Sequence, residues 1–165
     1  KFNDLYGQTF PEPDTLIGEV PTLPGTDGQS KMSKSIGNVI NLSDSSSEVE
    51  TKVMSMYTDP SRVHATDPGK VEGNPVFVYL DAFGSDKDKI DEYKKSYRMG
   101  KVGDVEVKKY LSGVLNKFLD PIRKKRAEAQ SQPDLVDKIL EDGTKKAREE
   151  AKKTLDLALK AAKIA

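Results

Sequence analysis

Apolar residues are distributed in two regimes along the chain. Over residues 1–46 they come in short pieces such as Leu16-Ile17 and Val39-Ile40, separated by Pro11, Pro13, Pro21 and Pro24. Those prolines forbid a long helix, and Gly25-Thr26-Asp27-Gly28 reads as a tight turn. The pattern predicts a short strand or two and an exposed loop, with no core of its own. From Ser45 the spacing becomes helical. Ser45, Ser46 or Ser47 caps a helix through about Tyr57, with Glu48 and Glu50 in its first turn. Pro60, Pro68, Gly69 and Gly73 make 58–74 a loop. Asn74-Pro75 then starts a helix whose face carries Val76, Phe77, Leu80 and Phe83. Asp86 caps the next, which buries Ile90, Tyr93 and Tyr97 and ends near Gly100.

The most regular segment is Val107, Tyr110, Leu111, Val114, Leu115, Phe118, Leu119 and Ile122. Steps alternating between three and one mark an amphipathic helix from about Asp104, which Pro121 is expected to kink or end. Two more helices are predicted: 134–142, stopped by Gly143, and 144–164, capped by Thr144. The last bears a stripe of Ala147, Ala151, Leu155, Ala158 and Ala162, which predicts close helix–helix packing. The fold class is therefore mainly α.

Composition narrows the chemistry. The 165 residues are 35% hydrophobic and 33% charged, with mean hydropathy −0.64. No apolar run approaches the roughly 18 residues of a membrane span. There is no Cys and one His, His64, so a disulfide framework, a zinc site and a Cys nucleophile are excluded. His64 sits in a Pro/Gly loop and reads as an exposed bystander.

Net charge is zero, from 27 basic and 27 acidic residues, but the zero is a cancellation. Residues 1–75 carry an excess of five acidic groups, whereas 93–126 alone hold 11 basic and 3 acidic residues. Such asymmetry suits either a local anionic partner or a solvated helix face.

The chemistry-bearing segment is Lys31-Met32-Ser33-Lys34-Ser35, followed by Ile36-Gly37-Asn38. Two ammonium groups three residues apart, interleaved with hydroxyls and followed by glycine, suit a flexible loop that wraps a polyphosphate. Lysine is a mobile point charge with three donors, and hydroxyl and backbone N–H groups add further donors. Chance occurrence of this pentapeptide in a chain of this length is on the order of one in ten thousand.

The pentapeptide matches the KMSKS signature of class I aminoacyl-tRNA synthetases. Its surroundings resemble the bacterial-type tryptophanyl-tRNA synthetases: Pro24-Gly25-Thr26-Asp27-Gly28, Gly37-Asn38-Val39-Ile40, Thr58-Asp59-Pro60, the run Asn74 to Phe83, Gly103-Asp104-Val105-Glu106-Val107, Pro121-Ile122-Arg123 and Phe2-Asn3-Asp4-Leu5-Tyr6-Gly7. The family's other signature, a His-containing motif, has no counterpart around His64. The resemblance therefore implies a C-terminal fragment lacking the N-terminal catalytic half and inactive alone, consistent with an opening Lys rather than Met.

It further implies that residues 1–46 are the end of a Rossmann-type catalytic domain with its loop, and 47–165 a helical anticodon-binding domain. Lys34, supported by Lys31, would stabilise charge on pyrophosphate leaving ATP. Ser33 and Ser35 would donate hydrogen bonds, and Met32 would use its backbone near the nucleotide. ATP with Mg2+, tryptophan and tRNA(Trp) are the implied substrates, with a homodimer as the full-length state and the cytoplasm as its location. Lys94, Lys95, Arg98, Lys101, Lys108, Lys109 and the cluster Arg123-Lys124-Lys125-Arg126 are candidates for tRNA phosphates. Lys108 and Lys109 flank the apolar stripe, so one of them is free to snorkel along it. Asp59 and Asp81 match family positions, where capping or structural hydrogen bonding accounts for them equally well. A tyrosyl-tRNA synthetase fragment and a non-catalytic RNA-binding helical module are the alternatives.

Overall fold

A computed structural model describes residues 1–18, 20–29 and 31–164. Among the described residues there are six helices: α1 (Phe2–Tyr6), α2 (Ser46–Met54), α3 (Pro75–Phe83), α4 (Lys87–Arg98), α5 (Asp104–Gln130) and α6 (Pro133–Ala161). By contact the chain forms two compact units, one of residues 17–125 and the other of 1–16 with 126–165.

The helix starts follow their capping chemistry. Ser45 Oγ accepts from Glu48 N at 3.3 Å while the Glu48 carboxylate accepts from Ser45 N at 2.7 Å, a reciprocal capping box. Asn74 Oδ1 accepts from Val76 N, with Pro75 at the first helical position, and Asp86 accepts from Lys89 N.

The core of the 17–125 unit collects Val49 and Val53 of α2, Phe77 and Leu80 of α3, Ile90 and Tyr97 of α4, and one row of α5. That row is Val107, Leu111, Leu115 and Leu119, each four residues from the next. Full burial of such a side chain contributes about 1.5–3 kcal/mol. The other edge of the predicted stripe is less enclosed. Tyr110, Val114 and Ile122 are half-buried, and Phe118 lies with Phe83 along an open groove of about 900 Å³.

A charged knot ties the 58–74 loop to the α4–α5 junction. The Arg62 side chain is 1% exposed. It donates to the Asp104 carboxylate at 3.0 Å and to the carbonyls of Ala65, Asp67 and Val102 at 2.5–2.9 Å. Its guanidinium also stacks 4.1 Å from the Tyr97 ring centroid, and the Tyr97 hydroxyl donates to Asp104 at 2.7 Å. Burial first, and Asp104 after it, push the Tyr97 phenol up to about 12, so it remains a donor. Gly100, at φ +67°, lies against this loop; a Cβ there would sit 2.0 Å from the Thr66 carbonyl.

Four expectations need correction. No strand forms among the described residues; the 1–46 region holds α1 and a single antiparallel bridge between Pro24 and Lys31. The prolines and glycines leave no run long enough to form a ladder. Pro121 does not end α5, which continues to Gln130. Buried Leu119 before it and the hydrogen bonds of Arg123 after it hold the helix across the lost backbone donor. Nor do Gly143 and Thr144 divide the C-terminal helix. A glycine costs only about 1 kcal/mol inside a helix, and the Thr144 hydroxyl donates back to Leu140 O at 2.7 Å rather than capping. The small-residue stripe does not produce close packing either: α6 contains no buried residue.

Candidate functional site

Residues 24–29 and 31–38 close into a stem. Gly28 N donates to Gly25 O at 3.0 Å and Thr26 N to Asn38 O at 2.9 Å. Gly37, at φ +80°, adopts a left-handed conformation suited to glycine and donates to Ser33 O at 3.1 Å. Tyr57, just beyond α2, and Tyr79 of α3 secure the base. Tyr57 N donates to Thr26 O at 2.9 Å, and the Tyr79 hydroxyl of α3 donates to Pro24 O at 2.8 Å. Burial first and Asp27 second raise the Tyr79 phenol to about 12, so it keeps the proton it donates.

Asn38 occupies the middle of the stem and is 4% exposed. Its Oδ1 accepts from Ser33 N at 2.8 Å, while its Nδ2 donates to Asp27 Oδ2 at 2.9 Å and approaches Lys31 O at 3.4 Å. Asp27 Oδ1 in turn accepts from Gln29 N at 3.2 Å.

On this frame Lys31 and Lys34 are exposed, and neither ammonium has a hydrogen-bond or ion-pair partner among the described residues. Ser33 and Ser35 place their hydroxyls 2.9 Å apart, and Met32 is half-buried. Two free cations beside two hydroxyls form a donor surface for an anion. The Ser33 N–H, however, is already engaged by Asn38, so the loop offers fewer backbone donors than its sequence suggests.

The basic candidates divide sharply. Lys108 is 4% exposed and donates to Met56 O at 2.6 Å, Thr58 Oγ1 at 2.8 Å and Met54 O at 3.2 Å. All three ammonium protons are used at the C-terminal end of α2, and Lys108 is corrected from phosphate contact to internal cap. Burial holds its pKa below the ordinary lysine value. Arg123 is half-buried and engaged within the protein: it donates to Asp44 O at 2.7 Å, Asp120 Oδ1 at 2.8 Å and Asn116 Oδ1 at 2.8 Å. Lys94 pairs with Asp81 at 2.6 Å, and Arg98 with Glu72 at 2.6 Å. Lys95, Lys101, Lys109, Lys124, Lys125 and Arg126 are exposed, with no ion pair among the described residues.

Other singled-out residues take structural roles. Asp59 accepts from Ser61 Oγ at 2.6 Å, Ser61 N at 2.9 Å and Lys70 N at 3.0 Å, closing the 58–74 loop. These bonds, led by the Ser61 hydroxyl, hold its carboxyl below the usual range. His64 is exposed, and its backbone N–H bonds to Asp67.

The family of class I tRNA synthetases for tryptophan and tyrosine (W and Y) matches residues 1–120, which include the whole loop. The chain belongs to this family. Among curated proteins, a tryptophan–tRNA ligase of Treponema pallidum is 52% identical over 155 residues, covering 94% of this chain and 46% of the relative. One from Chlamydia caviae is 49% identical over 166 residues, covering 96% and 48%. Among solved structures, the tryptophanyl-tRNA synthetase of Campylobacter jejuni, complexed with ADP and tryptophan, aligns with a TM-score of 0.74 at 29% identity. That alignment covers 96% of this chain and 49% of the other. The chain spans about half the length of the curated relatives it matches. No helix among its described residues is long and apolar enough to cross a membrane.

For this class I synthetase chain, the sequence identified the loop but not its frame. Asn38 and Asp27 were legible only as members of glycine-flanked turns. Arg62 gave no signal at all.

Proposed function

We propose that this chain is part of a tryptophan–tRNA ligase, supplying the loop that binds the triphosphate of ATP and a helical region that binds tRNA(Trp). The observation that carries this reading is the KMSKS loop, whose two ammonium groups have no partner among the described residues, in a chain about half identical to named tryptophan–tRNA ligases. In the reaction, the carboxylate of tryptophan attacks the α-phosphorus of ATP. The bond to the bridging oxygen breaks and pyrophosphate leaves, giving tryptophanyl-adenylate. The tryptophanyl group then passes to tRNA and AMP leaves.

Little covalent chemistry falls to the protein, so positioning and charge stabilisation dominate. Lys34 neutralises the charge that develops on the leaving pyrophosphate, and Lys31 supports it. Ser33 and Ser35 donate their hydroxyls, and the Met32 backbone lies near the nucleotide. Mg2+ arrives on the phosphate oxygens of ATP as part of the substrate. Residues 1–46 act with the catalytic part, and 47–165 read the anticodon region. Lys95, Lys109, Lys124 and Arg126 meet tRNA phosphates, joined by Lys94 and Arg98 where their ion pairs open. The full-length protein acts as a homodimer in the cytoplasm; light scattering tests the dimer.

The deciding experiment is ATP–pyrophosphate exchange with each amino acid, on the 165-residue chain and on the full-length protein. Tryptophan-dependent exchange in the full-length protein alone is expected. Exchange with tyrosine instead, or tRNA binding without any exchange, overturns the reading. A filter-binding titration against tRNA across salt tests the lysines: affinity that does not respond to salt removes the phosphate assignment.

A further inference from the structure

We infer that Asn38 is a latch that sets the form in which the loop presents Lys31 and Lys34, and so a positioning residue for the ATP-dependent step. This inference rests on the function proposed above. One carboxamide holds the backbone on both sides of Met32, taking the Ser33 N–H at 2.8 Å and approaching the Lys31 carbonyl at 3.4 Å. Its amide nitrogen also donates to Asp27 at 2.9 Å, whose other oxygen accepts from Gln29 N at 3.2 Å. The segment that carries the first lysine is thereby tied to the stem, while both ammonium groups are exposed and have no ion pair among the described residues.

The stem is shaped around this side chain. Gly25 lies directly beneath it, and a Cβ at that position would stand 2.1 Å from Asn38 Nδ2 and 2.6 Å from Cγ. Those atoms belong to a short, doubly held amide that cannot swing aside as a long side chain does. Glycine at 25 and asparagine at 38 are thus one device. Gly37, next to the latch, is in a left-handed conformation with open space around it. The chain leaving the frame therefore has a joint that does not disturb Asn38.

The donor–acceptor pattern gives a swap test. Asn38→Asp keeps an acceptor for Ser33 N but sets two carboxylates against each other where Nδ2 met Asp27. Adding Asp27→Asn reverses the pair. The new amide donates to the new carboxylate, its oxygen still accepts from Gln29 N, and Ser33 N keeps its acceptor, while the long Lys31 contact is lost. In the full-length protein, Asn38→Asp is expected to lower kcat for tryptophan-dependent ATP–pyrophosphate exchange by roughly 10²-fold, the scale of a misplaced catalytic group. The KM for tryptophan stays unchanged, and the double variant recovers most of the loss. Asn38→Asp at the wild-type rate, or a double variant as slow as the single one, overturns the latch.

Backbone hydrogen exchange on the 165-residue chain tests the same device without catalysis. Asn38→Ala is expected to speed exchange of the Ser33 amide by about tenfold, the worth of one ordinary hydrogen bond. Equal rates with and without the Asn38 side chain overturn the latch whatever the enzyme assay gives. A wild-type protein that exchanges pyrophosphate with no amino acid, yet protects Ser33, overturns the functional reading and leaves the latch standing.

Discussion

Replacing Lys108 with methionine separates a structural lysine from an RNA-binding one. The substitution keeps the length and apolar stem of the side chain and removes only the ammonium, which donates to Met56 O, Thr58 Oγ1 and Met54 O at 2.6, 2.8 and 3.2 Å. A buried acceptor left without its partner costs about 1–3 kcal/mol. The Met56 bond is buried and the other two are partly so, which lets water take over some of the loss. Removing a desolvated cation returns part of the remainder, so a net destabilisation of about 2–3 kcal/mol is expected. For a unit of this size that corresponds to a fall of roughly 8–15 °C in Tm.

The pH dependence carries a definite sign. The folded-state pKa of Lys108 lies below 10.5 because of burial, so the folded chain releases this proton before the unfolded chain does. Between the two values the unfolded state binds more protons, and the contribution of Lys108 to stability rises with pH across that window. The wild-type minus variant difference should show that rise, read by urea denaturation monitored by circular dichroism. A lysine held inside the protein leaves the salt dependence of tRNA binding unaltered. If Lys108→Met instead left Tm unchanged and reduced the logarithmic salt slope by about 0.9, the loss of one phosphate contact, the assignment as an internal cap would be refuted.

Three further outcomes follow from the contacts. Lys34→Ala in the full-length protein should slow adenylate formation in burst kinetics by roughly 10²–10³-fold and leave tryptophan binding intact; a near-normal activation rate contradicts its role. Arg62→Leu strands a partly buried carboxylate and three carbonyls and should destabilise the fold by about 3–5 kcal/mol in urea; a loss under 1 kcal/mol would show the knot to be dispensable. Asp44 is buried, which by itself raises its pKa, but the bonds from Lys52 and Asn41 prevail and hold it below 3.8. Its contribution is therefore complete above pH 3.8 and lost as pH falls through the folded value. The stability gap between wild type and Asp44→Asn should close over that acid range, and a gap independent of pH would count against the pairing.

What the sequence by itself determined is local in character. A capping box needs residues three apart, an amphipathic face needs steps of three and four, and a pentapeptide is contiguous. Helices α2 to α5 and the KMSKS loop were legible for that reason. The two mistaken helix ends, at Pro121 and Gly143, show the limit of the same logic. A breaker residue imposes a few kcal/mol at most, and neighbouring turns or packing can absorb it.

Tertiary structure decided everything that depends on a distant partner. Lys108 and Lys109 are adjacent in an almost uniformly basic run, yet one is buried against carbonyls more than fifty residues away and the other is exposed. Arg123 bonds to Asp44 across 79 residues, and Arg62 to Asp104 across 42. Asn38 reaches Asp27 over 11 residues, through a floor that only glycine allows. No periodicity records such pairings, because spacing specifies which face a side chain occupies and not which polar group waits on the other side. The position of the loop was written in the sequence; the form in which it holds its two lysines emerged only when the chain closed on itself.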